Sequence, residues 1–163
     1  MTVESYHRAF GVYGICLQNR KLLVIKKNIG PYINRYDLPG GKLEDGESLL
    51  EGMHREFFEE TGFYVKVKKN LGVADFILPW KWRKITHVHH IAVFYLVQLT
   101  RGGFNDPEQF EGQDSNGALW FPIDEITAEN ASPLVLKAIE WFETRKLGMD
   151  VHRFEQWEVK SKG

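Results

Sequence analysis

The sequence holds a single cysteine, Cys16, among 163 residues. No intrachain disulfide can form, which points to a reducing compartment, with the cytoplasm as the expected location. No apolar run is long enough to cross a bilayer. The stretch Met1 to Phe10 is polar, carries Glu4 and Arg8, and lacks the apolar centre of a secretory leader. A charge excess is also missing. With a formal net charge of −1, nothing global draws the chain to nucleic acid or to an anionic membrane, so both are disfavoured as partners. An anionic ligand must be held by local arginines, lysines or a metal.

What the chain does have is an ordinary globular composition, with 43% apolar and 26% charged residues and no repeat or low-complexity tract. That supports one domain with a hydrophobic core across residues 1–163. The tail from Asp150 to Gly163 carries Phe154 and Trp157. It reads as a late strand or an interface segment, and a homodimer is one way to bury those rings.

Ala9–Leu17 and Leu22–Lys26 are rich in β-branched and aromatic residues. Asn19-Arg20 separates them, which predicts a hairpin. Asn28–Tyr36 reads as a loop, and Asp37-Leu38-Pro39-Gly40-Gly41 as a turn with a glycine-rich bend. Ser48 followed by Glu51 is a capping box. Leu49, Leu50, Met53 and Phe57 follow at helical spacing, and Gly62 closes the helix. Phe63–Val67, Val88–Leu99 and Leu119–Ile123 read as strands, with Arg101–Gly117 as a long polar loop suited to function. Ser132 and Pro133 open a second helix, with Gly148 just past its end. Strands, helix, strands, helix predict a mixed sheet with helices on its faces, an α/β (α+β) domain.

The chemistry lies in Arg55-Glu56-Phe57-Phe58-Glu59-Glu60. On a helix, Glu56, Glu59 and Glu60 stand at i, i+3 and i+4 and share one stripe. Each exposed like-charged pair costs roughly 0.2–0.5 kcal/mol, and the helix C-terminus is the wrong end for acids. A hard divalent cation relieves both penalties, and magnesium takes oxygen ligands with water completing the set. Taken alone, an acidic face solvated beside Arg55 is the commoner meaning of such a pattern. The flanking residues reverse that balance.

From Gly41 to Phe63 the chain reads G-x5-E-x7-R-E-U-x-E-E-x-G-U, where U is bulky aliphatic or aromatic. This resembles the Nudix box, with each fixed position filled. The resemblance implies the Nudix α/β/α sandwich with a mixed central sheet. It also implies magnesium-dependent hydrolysis of a phosphoanhydride bond in a nucleoside diphosphate or triphosphate derivative, with manganese as the substitute ion. Carried over residue by residue, Glu56, Glu59 and Glu60 are the catalytic and metal-binding glutamates, joined by the backbone carbonyl of Gly40. Arg55 orients them, with Glu47 and Gly41 in support. A further carboxylate is expected from the loop before Trp120: Glu111, with Glu108 and Asp114 as competitors. Glu56 is the preferred general base, Glu60 and a loop acid the alternatives. A Nudix-fold module that senses a nucleotide without cutting it is the rival; such modules often lose the box glutamates, and all are present here.

Tyr36 stands where many relatives have tryptophan, which touches packing or base contact. Arg35, Tyr36, Trp80, Trp82 and Arg83 are the candidate substrate contacts. Lys26, Lys27, Lys81 and Lys84 are further phosphate candidates, and Tyr32 and Phe76 further stacking ones. Relatives acting on ADP-ribose often carry a proline near the position of Pro79. His87, His89 and His90 invite a transition-metal reading, and His87 and His89 alternate onto one strand face, but no cysteine or acid at a fitting spacing supports zinc, and substrate contact is the preferred reading for a histidine.

Overall fold

The computed structural model describes residues 3–104 and 115–160. Glu111, Glu108 and Asp114 lie outside the described residues. In chain order the elements are β1 (Tyr6–Ile15), β2 (Leu17–Gln18), β3 (Lys21–Lys27), β4 (Tyr36–Asp37), β5 (Gly40–Gly41), α1 (Leu49–Thr61), β6 (Phe63–Trp82), β7 (Ile85–Gly102), β8 (Ser115–Pro122), a 3-10 turn (Ile123–Glu125), α2 (Pro133–Thr144) and β9 (His152–Arg153). The first sheet runs β5-β1-β7-β6-β9 and is mixed. Its β1–β7 and β6–β9 pairs are parallel, its β1–β5 and β6–β7 pairs antiparallel. In the second sheet β3 pairs antiparallel with β2, β4 and β8.

Alternation along the strands builds the layers. Val12, Val93, Tyr95 and Val97 pack with Met53 and Phe57 of α1. Their neighbours Tyr13, Ala92 and Phe94 pack with Leu134, Val135 and Ala138 of α2. One helix therefore covers each face, which is the α/β/α sandwich expected from the sequence.

Local chemistry fixes the ends. At the start of α1, Ser48 Oγ accepts from the Glu51 amide at 3.1 Å and Glu51 Oε1 accepts from the Ser48 amide at 3.3 Å. Gly62 closes the helix in the left-handed region and donates its N–H to the Phe58 carbonyl. Helix α2 starts as expected at Ser132-Pro133. It stops earlier than Gly148, because Arg145 adopts a φ of 61° and its N–H caps the Trp141 carbonyl.

Several expectations change. The hairpin around Asn19-Arg20 forms, with φ of 50° and 58°, the twist a two-residue hairpin turn needs. It joins only β2 to β3. Strand β1 instead pairs with β7 from Tyr6↔His87 to Ile15↔Leu96, and the chain changes sheet at Cys16. Strand β6 runs far beyond Val67 because register shifts absorb its irregular lysine-rich stretch. Pro79–Arg83 forms the end of the long β6–β7 hairpin. Pro79 sits beside a register shift, where its missing N–H is tolerated.

The tail folds back onto its own domain. Strand β9 pairs with β6, and Phe154 and Trp157 pack on the α2-side core. The burial need that suggested a homodimer is thus met within the chain. Arg35, a candidate substrate contact, is 3% exposed. Its guanidinium donates to the carbonyls of Ala128, Glu129, Ala131 and Glu158 and lies 4.1 Å from the centre of the Trp157 ring. It ties the loop before β4 to the α2 approach and the tail. Arg35→Met leaves these carbonyls without their donor and is expected to cost about 2–4 kcal/mol of unfolding free energy by urea denaturation. Unchanged stability contradicts the clamp.

Candidate active site

The capping box and the Gly62 stop set the length of α1, and its buried face, Met53 and Phe57, sets its rotation. Glu56 and Glu59 then point away from that contact, whereas Glu60, seven residues after Met53, lies on the buried side of the helix. The Glu59 side chain is 52% exposed and that of Glu56 19%, while Glu60 is 4% exposed.

Arg55 organises the acids. Its Nε and Nη2 donate to the two oxygens of Glu47 at 2.7 and 2.9 Å. Its Nη1 donates to Glu56 Oε1 at 2.9 Å and to Glu59 Oε2 at 3.2 Å. A further bond runs from Nη2 to the Lys42 carbonyl. The Arg55 guanidinium holds Glu47 down to a pKa of about 2, helped by the Glu44 backbone amide–carboxylate bonding at the turn. The same bonds, Glu47 first, push Arg55 above its usual range.

The bend before the helix meets these carboxylates. Gly40 N–H donates to Glu60 Oε1 at 2.8 Å. Gly40 has a φ of 148°, and an added Cβ would collide with the Val12 carbonyl and the Tyr13 ring. Only glycine brings the chain this close to β1. An added Cβ on Gly41 would stand 2.8 Å from Glu56 Oε2, so the bend and the second Glu56 oxygen are in near contact.

A cleft of about 410 Å³ opens beside this corner. Gly40, Gly41, Glu56 and Lys42 line one end, and Lys27, Tyr13, Tyr32, His90 and Trp80 line the rest. A larger hollow of about 750 Å³ lies on the other side of Trp80, lined by Pro79, Lys81, His87 and Trp157, with none of the α1 carboxylates. We take the smaller cleft as the site, because the chemistry is there.

Of the substrate candidates, Trp80 lines the cleft. Trp82 lies parallel to it at 5.6 Å, with Arg83 over its outer face at 4.5 Å; neither lines the cleft. Tyr36 packs on Phe121 at 4.3 Å under Lys26, a packing role, and Phe76 is core. Lys27 and Tyr32 do line the cleft. His87 stacks on Tyr6, and His89 pairs with Asp75 at 2.7 Å. Sequence reasoning missed Tyr13 and Lys42; of the three histidines it singled out, only His90 lines this cleft. His90 alternates with Val88 and Ala92 on the buried face of β7, so its position reads as core.

The family model of the NUDIX domain matches residues 5–142. The chain belongs to the Nudix family. It is 45% identical over 120 residues to the ADP-ribose pyrophosphatase of Methanocaldococcus jannaschii, covering 74% of this chain and 65% of that relative, just under two thirds of its length. Among solved structures, a MutT NUDIX hydrolase from Burkholderia pseudomallei superposes with a TM-score of 0.64 at 21% identity, over 82% of this chain and 97% of that one. A NUDIX hydrolase from Nitrosomonas europaea gives 0.62 at 27% identity, over 86% and 92%. Nudix hydrolases generally use divalent metal ions and act on small nucleotides. No helix among the described residues is long and apolar enough to cross a membrane.

The donor set has the right chemistry for such an ion. It is all oxygen, with Glu47, Glu56 and Glu59 gathered around one guanidinium and Glu60 on the Gly40 amide. Among the described residues no three acidic, histidine or cysteine side chains converge tightly enough to hold one ion. Arg55 holds Glu56 and Glu59 while Glu60 turns to Gly40. A magnesium ion needs only one or two carboxylates, with water and phosphate completing its shell, so the residues fit that metal.

A pH prediction follows from Glu47. Its pKa falls from 4.5 to about 2 in the folded protein, so its stabilisation is whole above pH 4.5 and is lost as the pH drops toward 2. Thermal melts of Glu47→Gln should lie below wild type at pH 7, and the two should converge as the pH falls through that window. A gap independent of pH contradicts the ion pair.

Proposed function

We propose that this protein is a metal-dependent pyrophosphohydrolase that cuts the phosphoanhydride of a nucleoside diphosphate derivative, with magnesium as its ion. The observation that carries the reading is the corner where Glu56, Gly40 and Gly41 line one end of a nucleotide-sized cleft with Lys42 and Lys27 along it. One or two of Glu56, Glu59 and Glu60 would ligate the ion directly and the rest through water, with the Gly40 carbonyl beside them, and Glu111 is the candidate from the loop. The ion, when bound, offsets phosphate charge, acidifies a water and steadies the leaving phosphate; manganese would supply the same chemistry.

The chain's own residues do the rest. Lys27 and Lys42 draw the anionic diphosphate into the cleft. Arg55 fixes Glu56 through Oε1, which leaves Oε2 directed at the Gly41 bend. Glu56 takes a proton from the attacking water as its oxygen bonds to phosphorus. The bridging P–O bond breaks, and the leaving phosphate carries away the electron pair. Glu47 keeps Arg55 in place.

The likeness to an ADP-ribose pyrophosphatase makes ADP-ribose the first substrate to try. A catalytically silent, nucleotide-sensing module would keep the cleft without needing the box carboxylates, and all of them are present. The test is turnover of ADP-ribose, sugar nucleotides, dinucleoside polyphosphates and nucleoside triphosphates with magnesium. At least one nucleoside diphosphate derivative should be hydrolysed, chelation should stop it, and restored magnesium or manganese should recover it. Tight nucleotide binding with no turnover across the panel favours the sensing module instead.

A further inference from the structure

Among the polar side chains that line the cleft and that the mechanism leaves unused, Tyr13, Tyr32 and His90 form one bonded group. All are buried, at 7%, 4% and 6% exposure. The Tyr13 hydroxyl lies 2.9 Å from His90 Nε2 and the Tyr32 hydroxyl 2.8 Å from His90 Nδ1. The Tyr32 ring stacks on the imidazole at 5.6 Å, and Tyr13 meets it edge-on at 5.7 Å. Burial pushes the His90 pKa down to about 3, with Lys27 and His89 acting in the same direction. The ring is neutral, with one N–H and one lone pair. One tyrosine therefore donates to it and the other accepts from it.

The fold builds this relay from both ends. Tyr13 of β1 pairs with Gly40 of β5, which sets this residue beside the bend that meets the carboxylates. Its ring crosses Gly11, where an added Cβ would stand 2.5 Å from the hydroxyl. At the other end Trp157 meets Tyr32 edge-on at 5.8 Å, and its indole N–H donates to the Pro31 carbonyl at 2.8 Å. The C-terminal tail thereby fixes the far wall.

Ala9, Ile29, Val88 and Trp80 supply apolar walls around this part of the cleft, and the ionic groups that line the cleft near it, Lys27 and Asp37, are opposite in sign. Two phenols and a neutral imidazole match hydroxyls and ring edges. They do not match a terminal phosphate, which loses its water without gaining a countercharge.

We propose that Tyr13 and Tyr32, joined through His90, are specificity-determining residues that bind the uncharged, hydroxyl-bearing group attached to the diphosphate, so that a nucleoside diphosphate joined to a sugar is taken over a nucleoside triphosphate. His90 acts as a positioning residue. This rests on the hydrolase reading above.

The experiment compares wild type and Tyr13→Phe on ADP-ribose and ATP with magnesium. Loss of one hydrogen bond should raise KM for ADP-ribose about tenfold, leave kcat within about twofold, and leave the affinity for ATP, read as KM or as an inhibition constant, unchanged. His90→Leu should reproduce the rise, and His90→Gln, which keeps a donor and an acceptor, should restore part of it. A merely structural role moves both nucleotides together. A folded Tyr13→Phe protein with an unchanged ADP-ribose to ATP ratio overturns the proposal. If that variant does not fold, Tyr32→Phe is judged on the same ratio. If wild type hydrolyses neither nucleotide, the hydrolase reading has failed for them. Calorimetric affinities for ADP-ribose and ADP in wild type and Tyr13→Phe then decide this proposal by the same tenfold difference.

Discussion

Everything at the carboxylate corner depends on one guanidinium. Arg55 reaches Glu47, Glu56, Glu59 and the Lys42 carbonyl at once. Without it, acids on adjacent helical turns repel one another at a helix end that already disfavours them. With it, Glu47, Glu56 and Glu59 each have a set direction, and the loop before α1 is tied to the helix. The excess of negative charge that remains is what a divalent cation would meet. Arg55 is therefore a scaffold residue of the site, and its side chain is occupied by protein oxygens.

The second constraint is the close approach of the Gly40–Gly41 bend to β1. It places the bend against Glu60 on one side and Tyr13 on the other. The same strand thus joins the carboxylate corner to the tyrosine–histidine floor. The tail secures the opposite wall through Trp157, with Arg35 stacked behind it. A cleft with an ionic end and a neutral end results from elements far apart in sequence.

The box was legible because its chemistry is local. Ser48 and Glu51 cap, Gly62 stops, and the acids fall at helical spacing between them, so the helix and its acidic stripe can be read directly. The three-layer fold was legible for the same reason. The substrate wall was not, because it is assembled by long-range pairing. Arg35 reads as a phosphate contact beside a glycine-containing loop, yet the tail and the approach to α2 enclose it, which no local pattern signals. His90 reads as core because it is core, with its two polar atoms satisfied by tyrosines from β1 and from the loop before β4. The proline and paired tryptophans of the run from Pro79 interrupt any strand pattern, yet a register shift in the β6–β7 ladder absorbs them.

The central claim is that the α1 carboxylates carry metal-dependent catalysis, not merely a charged surface. Glu60→Gln tests it most directly, since it keeps the shape of a buried side chain and removes its charge. Turnover of the best nucleotide substrate and the thermal midpoint should be measured together. The account predicts a loss of about 100-fold in turnover with the fold retained. Near-normal turnover in a stably folded Glu60→Gln protein would contradict it.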